Sequence, residues 1–176
     1  MRITQFHVAV LFAAVLASGA ALRIAGATGP ESQAISGIVS GDVQKVGFRA
    51  MILKQAIEYN LAGSAQNTTE GSVRFILQGD ENRIGRAVMA IRNGTKKSSD
   101  VNVNTSPAKL DPNLNKFTVI GWTSVSRNIS HPYDLVFPLR TNDEPISKKK
   151  AKEVWHEILR STLTGEDLNK LGDDDE

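Results

Sequence analysis

The sequence predicts an α+β sandwich of the ferredoxin-like type, with two helices on one face of an antiparallel sheet. Two observations carry this. Strand and helix periodicities follow one another as β-α-β-β-α-β, with one further strand behind them. Each of the two helical stretches closes on a turn signal containing glycine or asparagine. The chain has 176 residues, enough for one domain and short for two.

The elements follow in order. Ala34 to Val43 is strand-like, with Ile35, Ile38, Val39 and Val43 set among small residues. Phe48 to Asn60 has helical spacing. Ile52, Ala56 and Tyr59 fall on one stripe, with Phe48 and Leu53 beside it. Leu61-Ala62-Gly63 reads as the helix stop, with the glycine as left-handed cap. Ser64 to Gln66 is a short extended piece. Asn67 to Gly71 is turn-rich, and Val73, Phe75 and Leu77 alternate as the second arm of a hairpin. Gly79-Asp80 opens a second helix with Ile84, Val88 and Ile91 in phase, closed by Asn93-Gly94. Val101 and Val103 mark a strand, Ser106 to Asn115 a Pro/Asn loop, and Lys116 to Val125 a strong strand. After Ser130 the prolines at 132, 138 and 145 suggest a loop-like stretch. Ser147 to Thr162 then reads as an amphipathic helix with Ala151, Val154, Trp155, Ile158 and Leu159 on its apolar stripe, expected to dock on the domain. The domain is thus expected over residues 34–125. Residues 126–176 form an extension with a helix at about 147–162 and an acidic tail from Gly172.

The N-terminus reads differently. Arg2 precedes an apolar run from His7 to Leu22, and Ala25-Gly26-Ala27 offers small residues for signal-peptidase cleavage. Residues 1–27 are expected to be a secretory signal and 28–33 a linker. The alternative is an uncleaved anchor, for which the run is short of the about 20 residues a span needs. Cleavage would remove Arg2 and Arg23 and no acid, so 21 basic residues become 19 against 19 acidic ones. A neutral chain implies no nucleic-acid partner. A ferredoxin-like RNA-binding sheet is further disfavoured because Phe75 is the only stacking aromatic on the central strands. There is no cysteine, which excludes thiol catalysis and thiolate metal sites. No membrane association after cleavage, a monomeric state and no cofactor are expected.

The stretch Gly41-Asp42-Val43-Gln44-Lys45-Val46-Gly47-Phe48-Arg49 carries the chemistry. A strand ends in a glycine-containing turn and an arginine stands where a helix begins. Free N–H groups, the positive end of the helix dipole and a guanidinium together suit a small anion. This stretch resembles the first signature of the acylphosphatase family, usually Gly-x-Val-Gln-Gly-Val-x-Phe-Arg. Gly63-Ser64-Ala65-Gln66-Asn67-Thr68-Thr69-Glu70-Gly71-Ser72-Val73 followed by Gly79 resembles the second, usually Gly-aromatic-small-x-Asn-x-x-x-Gly-x-Val. The resemblance covers about residues 34–125.

The resemblance implies that Arg49 binds the substrate's phosphate and Asn67 positions the attacking water. Gln44, Lys45, Val46, Gly47 and Phe48 would supply backbone donors. Hydrolysis of an acyl phosphate expels a carboxylate, whose acid has a pKa of about 4. So good a leaving group needs positioning and charge stabilisation rather than a strong general acid. In the family the substrate's own phosphate takes the water's proton, so neither metal nor catalytic His is implied. A small acyl phosphate or inorganic phosphate is the expected ligand. Two residues depart from the pattern. Lys45 stands where the family has glycine, which is strained if that turn position needs a positive φ. Ser64 stands where an aromatic residue is usual. A binding-only module that has lost turnover is therefore the alternative reading.

His131 and His156 show no metal-ligand spacing and are expected to be structural or exposed. Lys148 to Lys152 is read as a solvated helix face. Four Asn-x-Ser/Thr sequons occur, at Asn67, Asn93, Asn104 and Asn128. A glycan on Asn67 would block the expected site, which favours a bacterial periplasm, or secretion without N-glycosylation, over a eukaryotic secretory route.

Overall fold

The computed structural model describes residues 31–171. The signal read over 1–27 and the tail from Gly172 lie outside the described residues. Ten elements follow in order: β1 (Ser32–Asp42), α1 (Phe48–Tyr59), β2 (Ala62–Asn67), β3 (Val73–Asp80), α2 (Glu81–Asn93), β4 (Ser99–Ala108), β5 (Lys116–Ser124), β6 (Ile129–Pro138), α3 (Lys148–Thr162) and α4 (Gly165–Asn169). The strands form one six-stranded sheet in the order β4-β1-β3-β2-β5-β6. The first four strands give the ferredoxin-like βαββαβ arrangement that the element order predicts.

The sheet is mixed rather than wholly antiparallel. β5 runs parallel to β2, with Gly63 opposite Phe117 and Ala65 opposite Val119. β1 also starts earlier than expected, because Ser32 and Gln33 of the expected linker already pair with Asp80 and Gly79.

Alternation decides which face of the sheet is covered. Val73, Phe75 and Leu77 are buried while Arg74 and Ile76 between them are exposed. α1 covers this face with Phe48, Ile52, Leu53, Ala56 and Ile57, and α2 with Ile84, Ala87 and Ile91. The starts of α2 and α3 have a local cause. Asp80 accepts from the Arg83 N–H at 2.9 Å, and Ser147 accepts from the Lys150 N–H at 3.2 Å.

The end of α1 differs from the expectation. Asn60, not Gly63, is the left-handed cap, at φ 54. Its side chain is anchored there, accepting from the Arg140 N–H at 2.8 Å and donating to Asp143 Oδ1 at 2.9 Å. Asparagine tolerates this conformation when its amide is hydrogen-bonded. Gly63 instead lies inside β2, where a Cβ would stand 1.9 Å from the Ile76 carbonyl oxygen. Glycine is required there by close backbone approach.

The region after Ser124 is the larger correction. Residues 129–138, expected to be loop-like, form β6, paired along β5 from Lys116–Pro138 to Val119–Leu135. Residues 106–108, expected to be loop, extend β4. The expected dock of the C-terminal helix is present. α3 lies against α1, with Ala151, Trp155, Ile158 and Leu159 buried in the same core as Phe48 and Phe117. Three helices therefore cover the sheet, where two were expected with an extension beside them. Burying side chains the size of Trp155, Ile158 and Leu159 contributes about 1.5–3 kcal/mol each, so α3 is firmly held.

Candidate active site

The turn between β1 and α1 sets out the first half of the site. Lys45 and Gly47 both have positive φ, 60 and 75. Gly47 is the N-cap of α1, and no side chain caps it. A Cβ at Gly47 would meet nothing within 4 Å, so the backbone twist and not lack of space calls for glycine there. Among the described residues, none of the N–H groups from Gln44 to Arg49 donates to a backbone carbonyl. Successive N–H groups around left-handed residues at a helix start form a concave anion site, and the helix dipole adds to it.

Lys45 is strained by this geometry. An L-residue in the left-handed region costs about 1–2 kcal/mol. Lys45→Gly is expected to raise stability by about 0.5–1 kcal/mol, the relieved strain being partly offset by the greater unfolded-state entropy of glycine. A higher urea midpoint at unchanged m-value would register it. A lower midpoint would show that the lysine side chain contributes more than its strain costs.

Arg49 is the second residue of α1 and reaches across to β5. Its Nη1 donates to the Ile120 carbonyl at 2.8 Å and to the Gly121 carbonyl at 2.7 Å. Those carbonyls are available because β5 bulges here. Between Val119 and Trp122 it uses one residue more than β6 does between Leu135 and Tyr133. Gly121 takes φ 61, and its N–H donates to Asp134 Oδ1 of β6 at 2.8 Å. Two backbone dipoles thus orient one guanidinium nitrogen and leave the other two for a ligand. Burial holds the Arg49 pKa below the ordinary arginine value, although the group stays cationic. Among the described residues no carboxylate pairs with it. A half-buried cation without a counter-ion favours an anion beside it.

Asn67 ends β2, half-buried, opposite Val73. Among the described residues its side-chain amide has no protein partner, and no buried side-chain polar atom is left unpaired, so it is open to solvent. Gln44 joins the two halves of the site. Its Nε2 donates to the Thr68 and Ser72 carbonyls, both at 2.9 Å, tying the turn before α1 to the turn after Asn67.

Lys45, Val46, Gly47, Phe48, Arg49 and Asn67 line one cleft of about 570 Å³. Gln44, the remaining expected contact, is not on its lining. Phe48 is 1 % exposed, so its ring belongs to the core and only its N–H can serve the cleft. Sequence reasoning missed Lys54, Lys96, Lys97 and Arg127, which share the lining, and the wall made by Trp122 and Trp155. The two rings meet edge to face at 5.9 Å, and Lys54 Nζ stands 5.3 Å from the Trp155 ring centre. The adjacent lysines after the Gly94 helix stop were the one signal that could have pointed there. His131 packs edge-on to Tyr133, and the described residues hold no cluster suited to a metal.

Comparison with known proteins finds one family. A family model described as Acylphosphatase matches residues 35–119. The acylphosphatase of Chlorobaculum tepidum is 34% identical over 83 residues, covering 47% of this chain and 90% of its own length. That of Bacillus subtilis is 30% identical over 83 residues, covering 47% and 91%. The solved structure of an acylphosphatase from Coxiella burnetii is 29% identical, covers 50% of this chain and 92% of its own, and superposes with a TM-score of 0.46.

Proposed function

The chain belongs to the acylphosphatase family, and we propose that it hydrolyses small acyl phosphates to a carboxylate and inorganic phosphate without a metal. The observation that carries this reading is the Arg49 guanidinium, half-buried, without a carboxylate partner among the described residues, and on the same cleft as the open N–H groups and Asn67. In the proposed step the phosphoryl oxygens sit in the N–H cradle and on the free nitrogens of Arg49. Asn67 holds a water in line with the leaving oxygen. The water oxygen bonds to phosphorus, the P–O bond to the acyl group breaks, and the carboxylate departs with the bonding pair. The water's proton passes to a phosphoryl oxygen of the substrate. The negative charge meets donors that are already in place, which is the main source of rate in such transfers.

The test is turnover of acetyl phosphate by the purified chain, with a rate unchanged by EDTA. Phosphate that raises the melting temperature while acetyl phosphate stays intact would instead identify an anion-binding module. Hydrolysis gained in Lys45→Gly would then assign the loss to that residue. Export to a bacterial periplasm, or secretion, belongs to the same reading, and so does a monomeric state. Cell fractionation and light scattering check them.

A further inference from the structure

We propose that the cleft selects acyl phosphates whose acyl part carries a second anionic group, held by Lys96 and Lys97 of the turn between α2 and β4. This rests on the reading of Arg49 as the phosphate site. Six cationic residues line the cleft, Lys45, Arg49, Lys54, Lys96, Lys97 and Arg127, and among the described residues no Asp or Glu does. The whole chain is close to balanced, with 21 basic and 19 acidic residues, so its composition does not produce this sorting. One phosphoryl group is served by the N–H cradle and one guanidinium. Lys96 and Lys97 border the rest of the same volume and add positive potential to it. That volume, about 570 Å³, has room for far more than a two-carbon acyl group.

The lysine turn is built rather than loose. Thr95 N–H donates to Ser98 Oγ at 2.7 Å, Ser98 Oγ donates to the Thr95 carbonyl at 3.1 Å, and Lys97 N–H donates to Thr95 Oγ1 at 3.3 Å. The turn is fastened to the cradle itself, since Thr95 Oγ1 donates to the Val46 carbonyl at 3.4 Å. Just beyond it, Ser99 Oγ donates to Asp42 Oδ2 at the end of β1, at 2.7 Å. Among the described residues neither Lys96 nor Lys97 pairs with a carboxylate. The turn therefore holds both lysines beside the phosphate cradle, and their ammonium groups are available to a ligand. A carboxylate and a phosphonate can each accept hydrogen bonds from an ammonium group, so the second group is defined by its negative charge.

The experiment compares benzoyl phosphate with its para-carboxy and para-phosphono derivatives. In low salt kcat/KM is expected to be about three- to tenfold higher for the charged substrates, the worth of two exposed charge contacts. The gain should lie in KM and shrink toward parity as salt rises. The double variant Lys96→Ala, Lys97→Ala should narrow the ratio, and Lys96→Arg, Lys97→Arg should keep it. Parity in the parent chain, or an unchanged ratio in the alanine variant, overturns the proposal. If no substrate is turned over, the hydrolase reading fails, and the second site is read by binding. Pyrophosphate should then stabilise the parent more than phosphate does, with the excess lost in the alanine variant; equal stabilisation overturns the proposal.

Discussion

Arg49→Ala is expected to lower kcat/KM for acetyl phosphate by about a thousandfold, the usual scale for removing a principal cation or donor from a phosphoryl- or acyl-transfer site. The fold should survive. The Arg49 side chain is half-buried, its partners among the described residues are two carbonyls at the β5 bulge, and no carboxylate among those residues offsets its charge. Phosphate should no longer raise the melting temperature of the variant. Arg49→Lys should recover little, because one ammonium cannot serve two carbonyls and a phosphoryl group together. Activity within tenfold of the parent in Arg49→Ala, with a cooperative melt, would remove Arg49 from the site.

Asn67→Ala should divide the two halves of the mechanism. If Asn67 holds the water and Arg49 holds the phosphate, kcat falls by about a hundredfold while KM stays within about twofold. Steady-state kinetics with acetyl phosphate makes the measurement. A rise in KM at constant kcat would assign Asn67 to ground-state binding. The substitution is structurally mild, since the amide has no protein partner among the described residues and Gln44 holds the following turn through the backbone carbonyls of Thr68 and Ser72.

Both of these residues were singled out in the chain through the resemblance of their stretches to two family signatures, and the structure brings them to one cleft. The elements bearing periodic apolar residues were legible from local pattern, as with Val73, Phe75 and Leu77 or Ala151, Trp155 and Ile158. β6 was not. Pro132 and Pro138 argued against a strand, and Pro107 did so for the end of β4. Both strands are the outermost of the sheet, where a missing N–H costs no ladder bond on the open side. The true cap of α1 was hidden for a different reason. Asn60 takes the left-handed conformation through bonds to Arg140 and Asp143, 80 and 83 residues away, while Gly63 offered a local explanation. The cleft's wall was equally out of reach. Periodicity placed Trp155 on a buried face, but a helix pattern does not say which partner that face meets.

The uncompensated charge of Arg49 has a consequence for anyone engineering this chain. A screen for thermal tolerance in phosphate-free buffer would score Lys45 as a defect and would give Arg49 no credit for binding a ligand, so selection to keep the arginine is relaxed. If phosphate binds at Arg49 as proposed, the same screen run in phosphate would retain Arg49 and still replace Lys45. The buffer would decide whether selection preserves the catalyst or a sturdier protein without its function.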